Sequence, residues 1–237
     1  QIGWWFSIAT GDFDKDGDMD FIVGNLGKNY KYKATQEEQF EVFAKDFDSN
    51  GSLDIVFGYH EKGKVFPLRG RECSSNQMPF IKEKFPSYHE FGMADMPTVY
   101  GEENLENALH YSANTFATSY IENLGNFKFK THELEGIAQF SSVNSILVED
   151  FNGDGNLDAL LSGNLYQSEV ETPRNDAGYG VLLEGNGRGG FTSRLPNKSG
   201  LFVKGDVKNA VIVNTPSNDR KRIIFGKNDG VVQFVEY

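Results

Sequence analysis

The chain has 237 residues with 38% hydrophobic and 14% aromatic content, enough for one sizeable core and with no stretch of disordered composition. A formal net charge of −11 argues against nucleic acid and anionic membrane surfaces as partners and suits a cation-binding protein. The single cysteine, Cys73, excludes an intrachain disulfide and a thiolate metal cluster, and no run approaches the ~18 apolar residues of a membrane helix.

The chain opens at Gln1, without a Met, directly into the patterned segment Trp4-Trp5-Phe6-Ser7-Ile8-Ala9, as a trimmed piece of a longer protein would. An acidic unit follows, DFDKDGDMDFIVG at 12–24, and Gly24-Asn25-Leu26-Gly27 then reads as a hairpin turn. The unit recurs as DFDSNGSLDIVFG at 46–58 and DFNGDGNLDALLSG at 150–163. Each copy has polar oxygen residues at positions 1, 3, 5 and 9, Gly at 6 and an apolar residue at 8, followed by a short apolar run.

The wide gap between the second and third copies holds an insertion at roughly 70–112. Its pattern is helical: Ile81 and Phe85 are four apart, as are Leu105 and Leu109, and Pro79 suits a first helical turn. Glu122-Asn123-Leu124-Gly125-Asn126-Phe127 and Glu184-Gly185-Asn186-Gly187 read as further hairpin turns. Around the third loop, strands are expected at Val143–Glu149, Leu157–Leu161, Gly180–Leu183 and Gly190–Leu195, and four antiparallel strands make a propeller blade. A degenerate fourth unit begins near Lys204-Gly205-Asp206, with strands at Ala210–Asn214, Arg222–Phe225 and Val231–Val235 and no acidic ladder. The expected fold is therefore all-β, a partial or small propeller of about four blades with a helical insertion. Blade 1 covers about 1–36, blade 2 about 37–134, blade 3 about 135–198 and blade 4 about 199–237.

Eleven carboxylates fall within the three loops. Alternate residues of a curled loop point inward, and several anions held together repel unless a cation neutralises them. Oxygen ligands without His or Cys select Ca²⁺ or Mg²⁺, and an irregular cage of six to eight oxygens favours Ca²⁺. The first loop would use Asp12, Asp14, Asp16, the Asp18 carbonyl and Asp20. The second would use Asp46, Asp48, Asn50, the Ser52 carbonyl and Asp54; the third, Asp150, Asn152, Asp154, the Asn156 carbonyl and Asp158. Gly17, Gly51 and Gly155 are expected where a Cβ would clash. An EF-hand would place Glu at position 12; here position 12 is Val23, Phe57 or Leu161, so the ligand set closes at position 9. Two bland readings stand beside this one: acidic turns without metal, and a metal that only staples each blade rather than bridging a ligand.

These residues resemble the FG-GAP or VCBS repeat family, whose blades form integrin-α-type propellers and whose pattern D-x-[DN]-x-[DN]-G-x-x-D is met by all three loops. The runs VGNLGKNYKYKA, RGRECSSNQMPFIKEKFPSY, NTFATSYIENLGNFKF and NDAGYGVLLEGNGRGGF are similar to large bacterial repeat proteins related to the cartilage acidic protein (ASPIC/UnbV) group. The similarity runs from about Gly11 to Phe202. It implies an extracytoplasmic protein (periplasmic, cell-surface or secreted) with about three Ca²⁺ sites, and no defined activity.

Other features read as structural. Gly185-x-Gly187-x-x-Gly190 matches a dinucleotide fingerprint but is followed by a strand pattern, not a helix. His60, His89, His110 and His132 lack metal spacing, Cys73 reads as an idle thiol, and Trp4 and Trp5 read as core. Arg69-Gly70-Arg71, beside Lys62 and Lys64, places positive charge in an acidic protein, suited to an acidic ligand such as a uronic-acid sugar or simply to a solvated loop. The expected function is a calcium-binding module that binds a protein or glycan partner or acts as scaffold. The alternative is a calcium-dependent carbohydrate-active enzyme, such as a polysaccharide lyase, on the same scaffold.

Overall fold

The computed structural model describes residues 1–168, 171–214 and 220–237. The chain divides into two compact units: one of Gln1–Gly3 and Tyr32–Thr115, the other of Trp4–Lys31 and Phe116–Tyr237. The chain holds four antiparallel sheets of three or four strands, one in the first unit and three in the second, as in propeller blades, and none closes into a barrel.

In chain order, β1 (Ser7–Gly11) and β2 (Asp20–Gly24) pair antiparallel around the first acidic loop. The chain then enters the Tyr32–Thr115 unit. Strands β3 (Phe40–Lys45) and β4 (Asp54–Glu61) pair around the second loop, and β5 (Lys64–Pro67) returns along β4 through a tight turn. That turn places Lys62 at φ 51° and Gly63 at φ 76°. Five short helices follow: α1 (Arg71–Gln77), α2 (Phe80–Lys84), α3 (Tyr88–Gly92), α4 (Met96–Tyr100) and α5 (Glu102–Glu106).

Local chemistry sets their starts. Ser87 and Glu90 form a reciprocal capping box on α3, and Asp95 accepts the Thr98 N–H to begin α4. Their apolar faces, with Met78, Ile81, Phe91, Met96, Val99 and Leu105 buried, pack with Phe47 and Val56 of the sheet segment into one core. Strand β6 (Leu109–Ala113) then pairs with β3, giving the order β5-β4-β3-β6.

The helical expectation for 70–112 therefore holds to residue 106. Leu105 is buried in α5, but Leu109 opens a strand and is exposed. An i,i+4 apolar pair is satisfied equally by the end of one element and the start of the next.

The Phe116–Tyr237 portion completes the sheet that β1 and β2 began. β7 (Ser119–Asn123) pairs with β2, and β8 (Phe129–Glu133) pairs with β7. The expected blade 2 boundary of 37–134 is thus corrected: residues 119–133 belong to the sheet of the first loop, whose second and third strands are separated by the whole intervening unit. Gly24-Asn25-Leu26-Gly27 is accordingly no hairpin turn, since β2 ends at Gly24 and the chain leaves the sheet.

The third sheet, β9 (Ser145–Glu149), β10 (Asp158–Ser162), β11 (Val181–Gly185) and β12 (Phe191–Arg194), follows the expected order. After α6 (Pro196–Ser199), β13 (Asp206–Asn214), β14 (Lys221–Asn228) and β15 (Gln233–Glu236) form a three-stranded sheet. First strands are neighbours, with β1 and β13 each packing against β9.

Buried polar groups stitch these sheets together. Asn25 and Asn164, both in Gly-Asn-Leu steps, are fully or almost fully buried. The Asn25 carbonyl accepts from Val143 N–H at 3.0 Å, and Asn164 Nδ2 donates to Gly178 and Gly205 carbonyls at 2.9 and 2.8 Å. Each Asn follows a glycine with no room for a side chain: a Cβ on Gly24 would lie 2.2 Å from the Val143 carbonyl oxygen, and one on Gly163 2.0 Å from that of Ser142.

Candidate metal-binding loops

Each acidic loop joins two strands paired to its base, with Gly11 opposite Asp20, Lys45 opposite Asp54 and Glu149 opposite Asp158. Strands on both sides confirm that these are not EF-hands. The loops share one hydrogen-bond grammar. Position 1 accepts the N–H of position 6: Asp12 from Gly17 at 3.2 Å, Asp46 from Gly51 at 2.8 Å, Asp150 from Gly155 at 2.8 Å. Position 3 accepts from position 5, through Asp14 (3.2 Å), Asp48 (3.2 Å) and Asn152 (2.9 Å). Position 5 accepts from position 7, through Asp16, Asn50 and Asp154, each at 2.8 Å. Side-chain acceptors thus shape a loop that has few backbone partners of its own.

Position 9 is different. Asp20, Asp54 and Asp158 are 0%, 3% and 0% exposed. In every loop one oxygen accepts the position 2 N–H, from Phe13 (3.2 Å), Phe47 (3.0 Å) or Phe151 (3.0 Å). The other reaches a distant group: Asn123 N–H at 2.8 Å, Gln77 Nε2 at 3.2 Å or Gly185 N–H at 2.9 Å. Asp20 also accepts the Tyr120 hydroxyl at 2.8 Å. Burial, reinforced by that bond and the Asp20 charge, holds the Tyr120 phenol well above its ordinary range.

Candidate ligand atoms converge in two loops. One oxygen each of Asp12, Asp14 and Asp20 lie within 4.8 Å of one another, and so do those of Asp46, Asp48 and Asp54. The third loop has an amide at position 3, and Asn152 Nδ2 donates to Asp154 at 3.2 Å. Asp16, Asp18, Asn50, Ser52, Asp154 and Asn156 lie on the outer part of their loops, exposed or half-buried. The first loop also holds a buried acceptor without a partner, Asp12 Oδ1. There burial raises the Asp14 carboxyl above its ordinary value, and the Asp20, Asp16 and Asp12 charges add to the shift. Asp46 is instead lowered, chiefly by the Gly51 N–H, and Asp154 by the Asn156 N–H. Burial raises Asp158. All-oxygen donors of this kind fit a hard divalent cation.

The position 6 glycines are explained by conformation, not by a clash. Gly17, Gly51 and Gly155 sit at φ 94°, 87° and 83°, and a Cβ on any of them would meet nothing within 4 Å. Position 4 is also left-handed, at Lys15, Ser49 and Gly153. Sequence reasoning missed that feature, and it missed the position 2 phenylalanine. Phe13 packs edge-on against Tyr120 and Phe191, while Phe47 lies 5.3 Å from Tyr100 and Phe151 5.1 Å from Tyr237, centroid to centroid. The recurring Asp-Phe dipeptide was the available signal.

Elsewhere, Gly185–Gly190 lies in the β11–β12 hairpin, as the strand pattern implied. Glu41 of β3 receives His60 at 2.8 Å and His110 at 2.6 Å, one from each neighbouring strand, and His132 meets Glu122 at 2.7 Å. Cys73 is half-buried in α1. Lys62 and Lys64 pair with Glu61 and Asp95.

Residues 4–35, which carry β1, the first acidic loop and β2, match the family model described as the FG-GAP repeat. No curated protein sequence matches the chain.

Proposed function

Taking as premise that this chain carries an FG-GAP repeat, we propose that it is a calcium-binding propeller module of an exported bacterial protein, serving to bind a protein or glycan partner or as scaffold. The observation that carries the metal reading is the first loop, where three carboxylates converge and one Asp12 oxygen is buried without a partner. Like charges held that close favour a bound cation, and the oxygen-only donor set favours Ca²⁺ over softer metals. Asp12, Asp14 and Asp20 would hold one ion, Asp46, Asp48 and Asp54 a second, and Asp150, Asn152 and Asp158 a third. The ion's contribution is to neutralise the loop and so to staple paired strands. The extracytoplasmic setting in this reading rests on the resemblance to FG-GAP repeat proteins alone.

Thermal unfolding in excess EDTA, followed by titration with CaCl₂ or MgCl₂, tests this reading. A rise in the midpoint specific to calcium is expected, because an ion that binds only the folded state stabilises it by mass action. An unchanged midpoint with either ion would overturn the metal assignment.

A further inference from the structure

The Tyr32–Thr115 unit contains a groove of about 250 Å³ between the β4–β5 hairpin and the start of α1 and α3. Its lining includes two arginines and no acidic residue, in a chain of net charge −11. Two exposed rings, Tyr59 and Tyr88, contribute to its walls, and Tyr59 pairs across the hairpin with Phe66 at 6.1 Å. Arg69 lies over the Phe57 ring at 5.2 Å and donates to Gln77 at 3.2 Å.

Arg71 is the more telling group. It is half-buried at the first turn of α1, over the Tyr88 ring at 5.2 Å. Its hydrogen bonds all go to neutral main-chain carbonyls: Nε to Phe85 at 2.6 Å, and Nη2 to Pro86 at 3.3 Å and Lys82 at 3.5 Å. Nη1 takes part in none of them. The acids beside it are already engaged, Glu72 with Lys82 and the Tyr88 hydroxyl, Glu90 with Ser87. A guanidinium held rigidly against one aromatic face, with Glu72 and Glu90 close enough for their charges to feel it but no carboxylate hydrogen-bonded to it, is suited to an incoming one. Gly70 and Gly92 both line the groove, and a Cβ on either would meet nothing within 4 Å, so neither position is crowded.

We propose that this groove binds a carboxylate-bearing sugar, a uronate unit of an acidic polysaccharide, with Arg71 meeting the carboxylate and Tyr59 and Tyr88 covering the faces of the ring. The size is compatible with this occupant: the groove falls just below the ~300–1,000 Å³ typical of drug-sized ligands, room for about one sugar ring with the rest of an oligosaccharide extending into solvent. The inference rests on reading the chain as a ligand-binding module and is independent of its metal, since none of the loop carboxylates lines the groove.

Calorimetric titration of the whole chain with trigalacturonate, at low salt and with and without EDTA, tests it. Neutral galactotriose and a tri-glutamate peptide serve as comparison ligands. Expected are binding of trigalacturonate that persists in EDTA and falls with salt, and weaker binding of both comparison ligands by about tenfold or more. Arg71→Gln should weaken binding by a similar factor. Gly70→Leu should block it with the melting midpoint preserved, because a Cβ at Gly70 touches nothing and its φ of −65° suits any residue. Equal binding of galactotriose, or binding unchanged in a folded Gly70→Leu variant, would overturn the assignment. Preferential binding of tri-glutamate would overturn the sugar while leaving the module reading intact, and the EDTA melt decides the metal separately.

Discussion

Replacing Asp158 with alanine separates the two tasks that a position 9 aspartate performs. The carboxylate is fully buried, one oxygen on the Phe151 N–H at 3.0 Å and the other on the Gly185 N–H at 2.9 Å. It therefore ties the loop to β11 with no metal involved. Alanine leaves one buried and one part-buried N–H group without acceptors, at about 1–3 kcal/mol for a buried group and less for the other. Against that, the raised pKa of Asp158 shows that its ionised form is held at some cost, so part of the loss is returned. The net expectation is about 2–4 kcal/mol, or a midpoint lower by roughly 4–16 °C at about 2–4 °C per kcal/mol for a domain of this size. Differential scanning calorimetry in EDTA reads it directly. A variant that melts with the parent in EDTA, and differs only when calcium is present, would refute the structural half of the argument.

The other predictions address backbone, packing and pH. Gly155→Ala, at φ 83° with open space around its Cβ, should cost about 1–2 kcal/mol from conformation alone, and Gly155→Asn less; chemical denaturation of both checks the order. Gly163→Ala drives a Cβ to 2.0 Å from a carbonyl oxygen, so it should cost about 3 kcal/mol or more and give a chain that is insoluble or melts early. Asp95 is held down to about 2 by the Thr98 hydroxyl, then by Lys64 and the Thr98 N–H, so it stabilises the fold fully above its unfolded value of 3.8. That contribution is lost as pH falls through about 2, so the gap between wild type and Asp95→Ala, about 1 kcal/mol at neutral pH from the helix cap, should close across that window.

How legible these features were depends on the sequence distance over which they form. The acidic loops were plain because all the residues that shape one lie within nine positions, and the alternation of Asp-x-Asp is itself the geometry. The β9–β12 sheet was equally plain, since each strand pairs with its neighbour in sequence. The first sheet was not. Val23 pairs with Ser119, and nothing in a local pattern announces that β2 must wait nearly a hundred residues for its partner. The same distance hid the second duty of position 9, because Tyr120 and Asn123 are the groups that explain why Asp20 is buried. Glu41 shows the rule on a smaller scale: its bonds to His60 and His110 follow from pairing with Gly58 and Ser112, two residues from each histidine, which only the register reveals.

The three loops also differ in what a cation can contribute, and Asp14 tests that difference. Its carboxyl is raised by burial and by three neighbouring carboxylates, whereas Asp46 and Asp154 are lowered by backbone N–H groups that already stabilise their charge. The first loop also carries five carboxylates against three in each of the others, so it has the most repulsion to relieve and should gain most from an ion. Asp14→Asn keeps the shape and can still accept the Asp16 N–H while removing one of the converging charges. In EDTA this variant should melt at or above the parent temperature; in calcium it should lose much of the parent's gain. Asp48→Asn should show a smaller change in both conditions. Calcium melts of the two variants side by side read the contrast, and an Asp48 effect larger than that of Asp14 would show that hydrogen bonding, not repulsion, sets the order of the sites.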